Sequence, residues 1–388
     1  MQGFSRSFSF VSPTAVQFGA GIVASLPDCV ARLAGNRPLI VGDPGIERAG
    51  ILARVEAILG GAGLAFTVFT DVESDPDVRS VRRGVEVAKA ASCDVVVAIG
   101  GGSALDAAKG IALMLSNAGD IVDYVGIDKV TKPTIPLIAI PTTAGTGSEL
   151  TIWSVLSDRA NGAKFGIGSP LLCPSVALLD PELTISLPQA ITAATGLDAL
   201  THAIESLVCT ASNPFSAAPA EMAIRMIGEN LRLAVAHGEN REARANMLIA
   251  SALAGIAFNQ TRLGYVHAFS MPLGSRFKIP HGLVNAITLP AVMQFNLPGN
   301  LDAFARIAGL LGERLEGLTL REAAQRSVQA VMDLKTDIGI NQTLADFGVD
   351  EDSYDDIIDE TMKSGNCPVN PRQATREDFR AMLRAAQG

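Results

Sequence analysis

Apolar positions in the first half of the chain fall into short runs separated by stretches of helical spacing. RPLIVGD (37–43), AFTVFTDV (65–72), DVVVAIGGGS (94–103) and KPTIPLIAIPTTAGTGSE (132–149) read as buried strands closed by Gly, Asp, Pro or Thr. Between them, ILARVEAILGGAG (51–63) and VRSVRRGVEVAKAASC (78–93) carry apolar residues three and four apart, as amphipathic helices do. Near-continuous apolar strands alternating with helices predict a parallel, Rossmann-like sheet with helices on both faces. After DPELTISLP (180–188) the texture changes. QAITAATGLDALTHAIESLV (189–208), PFSAAPAEMAIRMIGENLRLAVA (214–236) and REARANMLIASALAGIAFNQ (241–260) predict long helices, and more follow from Leu301 to the end. The predicted architecture is an α/β domain over residues 1–187 followed by an all-α domain over 188–388.

Composition narrows the class. A length of 388 residues suits two domains, and 48% apolar against 18% charged residues allows each a large core. A net charge of -9 without any Lys/Arg cluster argues against nucleic acid as a partner. The five cysteines show no C-x-x-C spacing, so a reducing, cytoplasmic setting is expected rather than a disulfide scaffold. The N-terminus lacks the apolar run of a signal peptide, and the longest greasy stretch, Met247 to Phe258, is too short to span a bilayer. No membrane association is expected. The acidic run EDSYDDIIDE (351–360) reads as a solvated helix face.

Two polar, glycine-rich loops follow apolar strands. Gly100-Gly101-Gly102-Ser103 runs into SALDAAKGIAL, so bare backbone N–H groups stand at a helix start and suit a phosphate-bearing ligand. Ser103 is the expected N-cap, with Asp106 three residues on. A tight turn that merely needs glycine is the simpler alternative. Asp43 ends the first strand, where a carboxylate can accept from a ribose diol and would repel a 2′-phosphate; a turn-forming Asp in G-D-P-G reads equally well. The loop PTTAGTGSE (141–149) adds hydroxyls, and two such loops suggest one ligand crevice.

The chain holds four histidines. Asp198 and His202 stand four apart in a helical run, so both side chains leave one face a turn apart and can chelate a metal. His267 lies in GYVHAF, read as the end of an apolar helix, and His281 lies in IPHG, at a loop-to-helix entry. One carboxylate and three neutral imidazoles leave a divalent ion with a net charge of about +1 and room for a substrate oxygen. Taken singly, a D-x-x-x-H pair is more often a helix surface pair and His267 a core histidine. His237, in VAHGENRE, reads as a plain exposed residue.

At this point GGGSALDAAKG (100–110), PTTAGTGSE (141–149), DPELT (180–184), TGLDALTHAIE (195–205), GYVHAF…PLG…IPHG (264–282) and NPR (370–372) together resemble the iron-containing (group III) alcohol dehydrogenases over essentially the whole length. The resemblance implies a dinucleotide-binding N-terminal domain, a helical C-terminal domain and an active site in the cleft between them. It implies one divalent metal, Fe²⁺ ahead of Zn²⁺, on Asp198, His202, His267 and His281, which act in catalysis through that metal. It implies NAD contacts at Asp43, Gly101, Gly102, Ser103, Thr142, Thr143 and Lys164. It also implies Phe258 as an apolar wall of the substrate pocket, and a homodimer or higher homo-oligomer.

Three departures from the family pattern bear on the pocket. HAFSMPLG has Met271 where relatives usually carry a further histidine. GSRFKIPHG brings in Arg276 and Lys278, and Trp153 stands where relatives often have a smaller polar residue. The expected reaction is hydride transfer between a small alcohol or aldehyde and NAD. Reduction of a semialdehyde or keto acid to its hydroxy acid, in the manner of hydroxybutyrate dehydrogenases or maleylacetate reductases, is the alternative, and Arg276 or Lys278 would serve such an anion. A dehydroquinate synthase-like lyase would need a basic phosphate cluster in the helical domain, which the sequence does not show. A non-enzymatic nucleotide-binding module would have no use for the histidine set.

Overall fold

The computed structural model describes residues 7–388, which form two compact units. The first, Ser12–Leu187, is the α/β unit. Its strands and helices run β1 (Ala15–Phe18), α1 (Leu26–Arg32), β2 (Pro38–Val41), α2 (Pro44–Arg48), α3 (Ile51–Gly61), β3 (Thr67–Phe69), α4 (Val78–Ala90), β4 (Val95–Gly100), α5 (Gly102–Ser116), β5 (Gly126–Ile127), β6 (Leu137–Pro141), β7 (Trp153–Asp158), β8 (Ala163–Gly168) and β9 (Val176–Leu179). Six strands make one sheet in the order β1-β9-β6-β4-β2-β3, every pairing parallel.

The continuous apolar runs are explained by burial on both faces. Leu39, Val41, Val96, Ala98, Leu137 and Ala139 join one core with α4 and α5. Their chain neighbours Ile40, Val95, Val97, Ile138 and Ile140 join another with α1 and α3. Successive strand residues thus serve opposite cores, and no polar alternation survives to be read.

The strand expected over 65–72 is paired only over Thr67–Phe69. A second, smaller sheet, β5-β8-β7, has no counterpart in the pattern reading. In its antiparallel β7–β8 hairpin, WSVLSD and AKFGIG intersperse apolar residues with Ser, Asp, Lys and Gly, so neither strand shows the continuous apolar run by which the main sheet is read.

The helical unit comprises Pro188–Gly388. It contains α6 (Gln189–Val208), α7 (Pro214–Ala236), α8 (Arg241–Thr261), α9 (Tyr265–Phe277), α10 (His281–Asn296), α11 (Leu301–Leu310), α12 (Leu320–Asp337), α13 (Tyr354–Met362) and α14 (Arg376–Gln387). Residues 7–11 belong here and not to the α/β unit as a boundary at 187 alone implies. Gln260 donates to the Val11 carbonyl at 2.9 Å, and Phe8 and Phe10 lie on Phe215.

Starts are set by local chemistry. Asn213 caps α7 through a reciprocal bond with Ser216, and Thr319 and Thr375 do the same for α12 and α14 with Glu322 and Asp378. Helix α6 is the centre, buried on every side from Gly196 to Val208. Charged residues in such a stretch must be paired or ligated, which singles out Asp198, His202 and Glu205.

Candidate metal centre and dinucleotide loops

Three helices of the helical unit deliver four ligating side chains to one point. Asp198 and His202 leave α6 one turn apart, His267 stands in the first turn of α9, and His281 opens α10. His267 is therefore at a helix start and not at a helix end. One donor atom from each of the four lies within 4.8 Å of the others. Asp198 Oδ1 is 3.7 Å from His202 Nε2, 3.5 Å from His267 Nε2 and 3.6 Å from His281 Nε2. Gly282 lets α10 come this close, since a Cβ there would stand 2.5 Å from the Ala194 carbonyl oxygen. The ring of Phe258 stacks on His202 at 4.4 Å, and His202 on His267 at 4.6 Å. Asp198, His202 and His267 are buried, whereas the His281 side chain is 37% exposed, so solvent reaches the set from that side.

Asn285, one turn after His281, points its amide nitrogen into the set. Nδ2 donates to Asp198 Oδ1 at 2.6 Å and lies 3.0 Å and 3.3 Å from Nε2 of His267 and His281. Its Oδ1 is buried without a partner. This orientation suits bare ring nitrogens; the reversed amide would present Oδ1 to a protonated ring or a cation.

Burial opposes the Asp198 charge, but His202, His281 and His267 outweigh it and hold the carboxyl far below the usual range. Burial likewise opposes a charged His267, yet hydrogen bonds to Asp198 and Glu205 raise its pKa to about 9. A strongly anionic pocket lined by imidazoles is what a divalent cation requires, and one that attracts protons in its place. The donor set fits the metal.

In the α/β unit, β4 lies between β6 and β2, so the segments after all three leave the same edge of the sheet. Those segments carry Thr142 and Thr143, Gly101 to Ser103, and Asp43. Thr142 N–H donates to the Gly100 carbonyl at 2.9 Å, tying the first two together. Helix α5 begins at Gly102 with Gly101 as its N-cap, and no side chain caps it. Ser103 thus sits inside the first turn instead of capping it, and the leading N–H groups stay open to an anion.

Asp43 behaves as its turn reading anticipates. Its Oδ1 accepts from Gly45 N at 2.6 Å and Ile46 N at 3.2 Å, capping α2. Lys164, on β8, pairs with Asp75 at 2.5 Å.

Below these loops is a buried polar cluster that the sequence reading missed. Lys109 Nζ donates among Ser148 Oγ at 3.0 Å, Thr151 O at 3.0 Å, Thr151 Oγ1 at 3.2 Å and Trp153 O at 2.7 Å. Ser148 Oγ in turn donates to Asp106 Oδ1 at 2.6 Å, and Val155 N to Asp106 Oδ2 at 2.9 Å. Asp106 thus joins α5 to the Thr/Gly loop and β7 and plays no capping part. Burial pushes the Asp106 carboxyl up and the Lys109 ammonium down, each resisted by the other's charge. Glu149 Oε1 is buried without a partner, and burial lifts this carboxyl to about 7. The signal available was in LDAAKG, where Asp106 and Lys109 stand three apart on one face of a largely apolar helix.

The pocket candidates divide. Phe258 lies against the ligand set, as its stacking on His202 shows. Met271 is one turn beyond His267 on α9 and half-buried. Trp153 pairs with Gly168 across the β7–β8 hairpin, and its indole fills the space over that glycine. Arg276 is placed on the surface: its guanidinium is held by Asp356 at 2.8 Å and by Glu360, both on α13, so in this structure its charge is engaged in an ion pair. Lys278 is exposed at the αL end of α9, and His237 is exposed at the end of α7.

Comparison with known proteins agrees with this geometry. Residues 13–181 match the iron-containing alcohol dehydrogenase family, and residues 192–387 match the C-terminal part of the Fe-containing alcohol dehydrogenase family. The chain is 41% identical to a 1,3-propanediol dehydrogenase of Klebsiella pneumoniae, covering 98% of this chain and 99% of that protein. It is 38% identical to an NAD-dependent methanol dehydrogenase of Bacillus methanolicus, over 97% and 99%. A crystal structure of 1,3-propanediol oxidoreductase superposes with a TM-score of 0.96 at 41% identity, covering 98% of this chain and all of that one (100%). A sulfoacetaldehyde reductase from Bifidobacterium kashiwanohense, solved in complex with NAD+, superposes with a TM-score of 0.89 at 32% identity, over 99% and 100%. Two family matches that together span nearly the whole chain, on a fold and donor set of this kind, make it a member of the iron-containing alcohol dehydrogenase family and an oxidoreductase acting on an alcohol.

Proposed function

We propose that the chain is an NAD-dependent dehydrogenase of small primary alcohols or diols, with one divalent metal, Fe²⁺ by preference, held by Asp198, His202, His267 and His281. The observation that carries this is the convergence of one carboxylate oxygen on three Nε2 atoms at 3.5–3.7 Å, in a family whose members act on alcohols. When bound, the cation supplies Lewis acidity toward a substrate oxygen, and the dinucleotide supplies the hydride acceptor.

The protein's own part is positioning. Gly101, Gly102 and Ser103 offer open N–H groups to the pyrophosphate, with Thr142 and Thr143 beside them, Asp43 disfavouring a 2′-phosphate and Lys164 contributing from β8. Phe258 and His202 form a stacked wall that keeps one side of the ligand set apolar. Met271 neither donates nor accepts a proton effectively, so it shapes the pocket and leaves the alcohol proton to exit by another route. With Arg276 held by Asp356 and Glu360, the reading as a reductase of acid substrates is left with Lys278 alone of its two cations.

No helix among the described residues is long and apolar enough to cross a membrane. Five free thiols suit the cytoplasm, and the edge strand β1, with Val16 and Phe18 exposed, suits contact with a second copy in a homo-oligomer. The test is NADH formation across a panel of short alcohols, diols and hydroxy acids, using protein stripped of metal and reloaded with Fe²⁺ or Zn²⁺. Turnover of small alcohols that appears only on reloading is expected. Full activity in the stripped protein, or turnover confined to hydroxy acids, overturns the reading.

A further inference from the structure

Helix α9 carries His267 in its first turn, yet its N-cap, Gly264, has no side chain to cap it. The first N–H groups of that turn, both buried, find their acceptors elsewhere in the helical unit. Tyr265 N donates to Asn370 Oδ1 at 3.3 Å, and Val266 N donates to Glu205 Oε1 at 2.8 Å. The second oxygen of the same carboxylate, Glu205 Oε2, is 2.7 Å from His267 Nδ1. Glu205 thus holds a backbone N–H with one oxygen and the next residue's ring with the other. A side chain at position 264 would put its Cβ 2.8 Å from both Asn370 Oδ1 and Glu205 Oε1, so the glycine is what lets both acceptors approach.

The consequence for the ring is directional. A carboxylate at Nδ1 keeps the proton of the neutral ring on that nitrogen, so Nε2 is the atom whose lone pair a metal would take in place of a proton. Nε2 is the atom that lies 3.5 Å from Asp198 Oδ1, inside the ligand set. Glu205 is only 3% exposed, and a carboxylate buried so deeply is costly unless its charge is used. Near a divalent cation the account closes, because Asp198 and Glu205 together supply two negative charges.

We propose that Glu205 is a positioning residue of the metal centre: with Asn370 it clamps the first turn of α9 and selects the His267 tautomer that presents Nε2 to the metal. The inference rests on the metal centre proposed above. It also gives a role to two sequence features that lie far apart, the glutamate closing TGLDALTHAIE and the asparagine opening NPR.

The test compares the full chain with Glu205→Gln, each stripped and titrated with Zn²⁺ against a chromophoric chelator. Glutamine keeps the shape but offers one acceptor oxygen for two donors, and no charge. Zn²⁺ affinity should fall by about 10- to 100-fold, with a changed visible spectrum when Co²⁺ replaces Zn²⁺. A merely structural glutamate would lower the unfolding midpoint of the stripped protein and leave Zn²⁺ affinity of the folded variant within about twofold of the parent; that result overturns the proposal. If the variant does not fold, ¹⁵N-histidine NMR of the Zn²⁺-loaded parent decides. A proton on His267 Nδ1 with Nε2 metallated supports it, and the opposite arrangement overturns it. A parent that binds no Zn²⁺ or Fe²⁺ overturns the metal reading itself, a failure visible before any variant is made.

Discussion

In the proposed metal set every donor atom belongs to a side chain held by helices, whereas the proposed nucleotide loops offer mostly backbone N–H groups held by strand ends. In the first case, identity is everything: an aspartate and three histidines on α6, α9 and α10 meet within 4.8 Å. In the second, shape dominates: Gly101 and Gly102 contribute by lacking side chains, and the specific chemistry lies below them in Lys109, Asp106 and Glu149. The difference teaches where substitution should act. Changes in the ligand set should abolish a function outright, while changes under the loops should alter stability and nucleotide affinity in degrees.

The strongest way to break that contrast is at His267 or Asp198. His267→Ala removes one donor and leaves the buried Glu205 with only the Val266 N–H, and Asp198→Ala removes the only carboxylate among the ligands. Either variant should lose metal, measured by atomic absorption, and turnover together, by about 100-fold or more. Retained turnover at parental metal content would place the chemistry elsewhere.

A smaller effect is expected beneath the loops, at Glu149. Its folded pKa is raised by burial from 4.5 to about 7, so the folded chain binds a proton that the unfolded chain releases across this range. Stability from this group is therefore full below about 4.5 and is lost as pH rises through 7, by roughly 3 kcal/mol at most. Glu149→Gln should flatten that slope in urea unfolding measured between about pH 5 and 8. A parallel slope in parent and variant would show that another group sets it.

Asp43→Gly should act more weakly still. One Asp43 oxygen is already engaged in capping α2, so the side chain is held in place and only part of its charge faces outward. Glycine is itself tolerated as a cap, at a cost of a few tenths of a kcal/mol. The kcat/KM preference for NAD over NADP should fall about tenfold, which corresponds to about 1.4 kcal/mol of like-charge discrimination. An unchanged preference would leave Asp43 as a cap alone.

Legibility in the sequence followed the same division. The i,i+4 pair on α6 was readable because helical spacing fixes direction, and the buried strands because they are apolar on both faces. The same spacing, applied to His281 and Asn285, or extended along α6 to Glu205, would have found the residues around the ligands. Polar side chains deep in a fold carry no periodic mark of their partners, however. Lys109 reaches Ser148, Thr151 and Trp153 about forty residues away in sequence, and Glu205 reaches α9 and, through Gly264, the neighbourhood of Asn370. The β7–β8 hairpin was missed because Ser, Asp, Lys and Gly interrupt its strands and Trp153 covers Gly168, so no continuous apolar run marks them. Ser103 misled because three glycines in a row let the helix start before the first residue able to cap it.

The smallest effect belongs to Arg276, where sequence and structure part. Its place between His267 and His281 suggests an anion-binding cation, but α9 turns it outward at its last turn toward the acidic face of α13. Its guanidinium pKa is raised, first by the hydrogen bond to Glu360 and further by Asp356, so it is charged at any working pH. The Arg276 side chain is 37% exposed, Asp356 68% and Glu360 41%, so solvent screens the pairs heavily. Pairs of this kind contribute about 0–1 kcal/mol. Arg276→Ala should therefore shift the unfolding midpoint slightly, less so in high salt, and should change KM for alcohols and hydroxy acids alike by no more than about twofold. A selective rise in KM for acid substrates would mean that the guanidinium leaves α13 during turnover, and the contrast between side-chain and backbone chemistry would then need a third, mobile element.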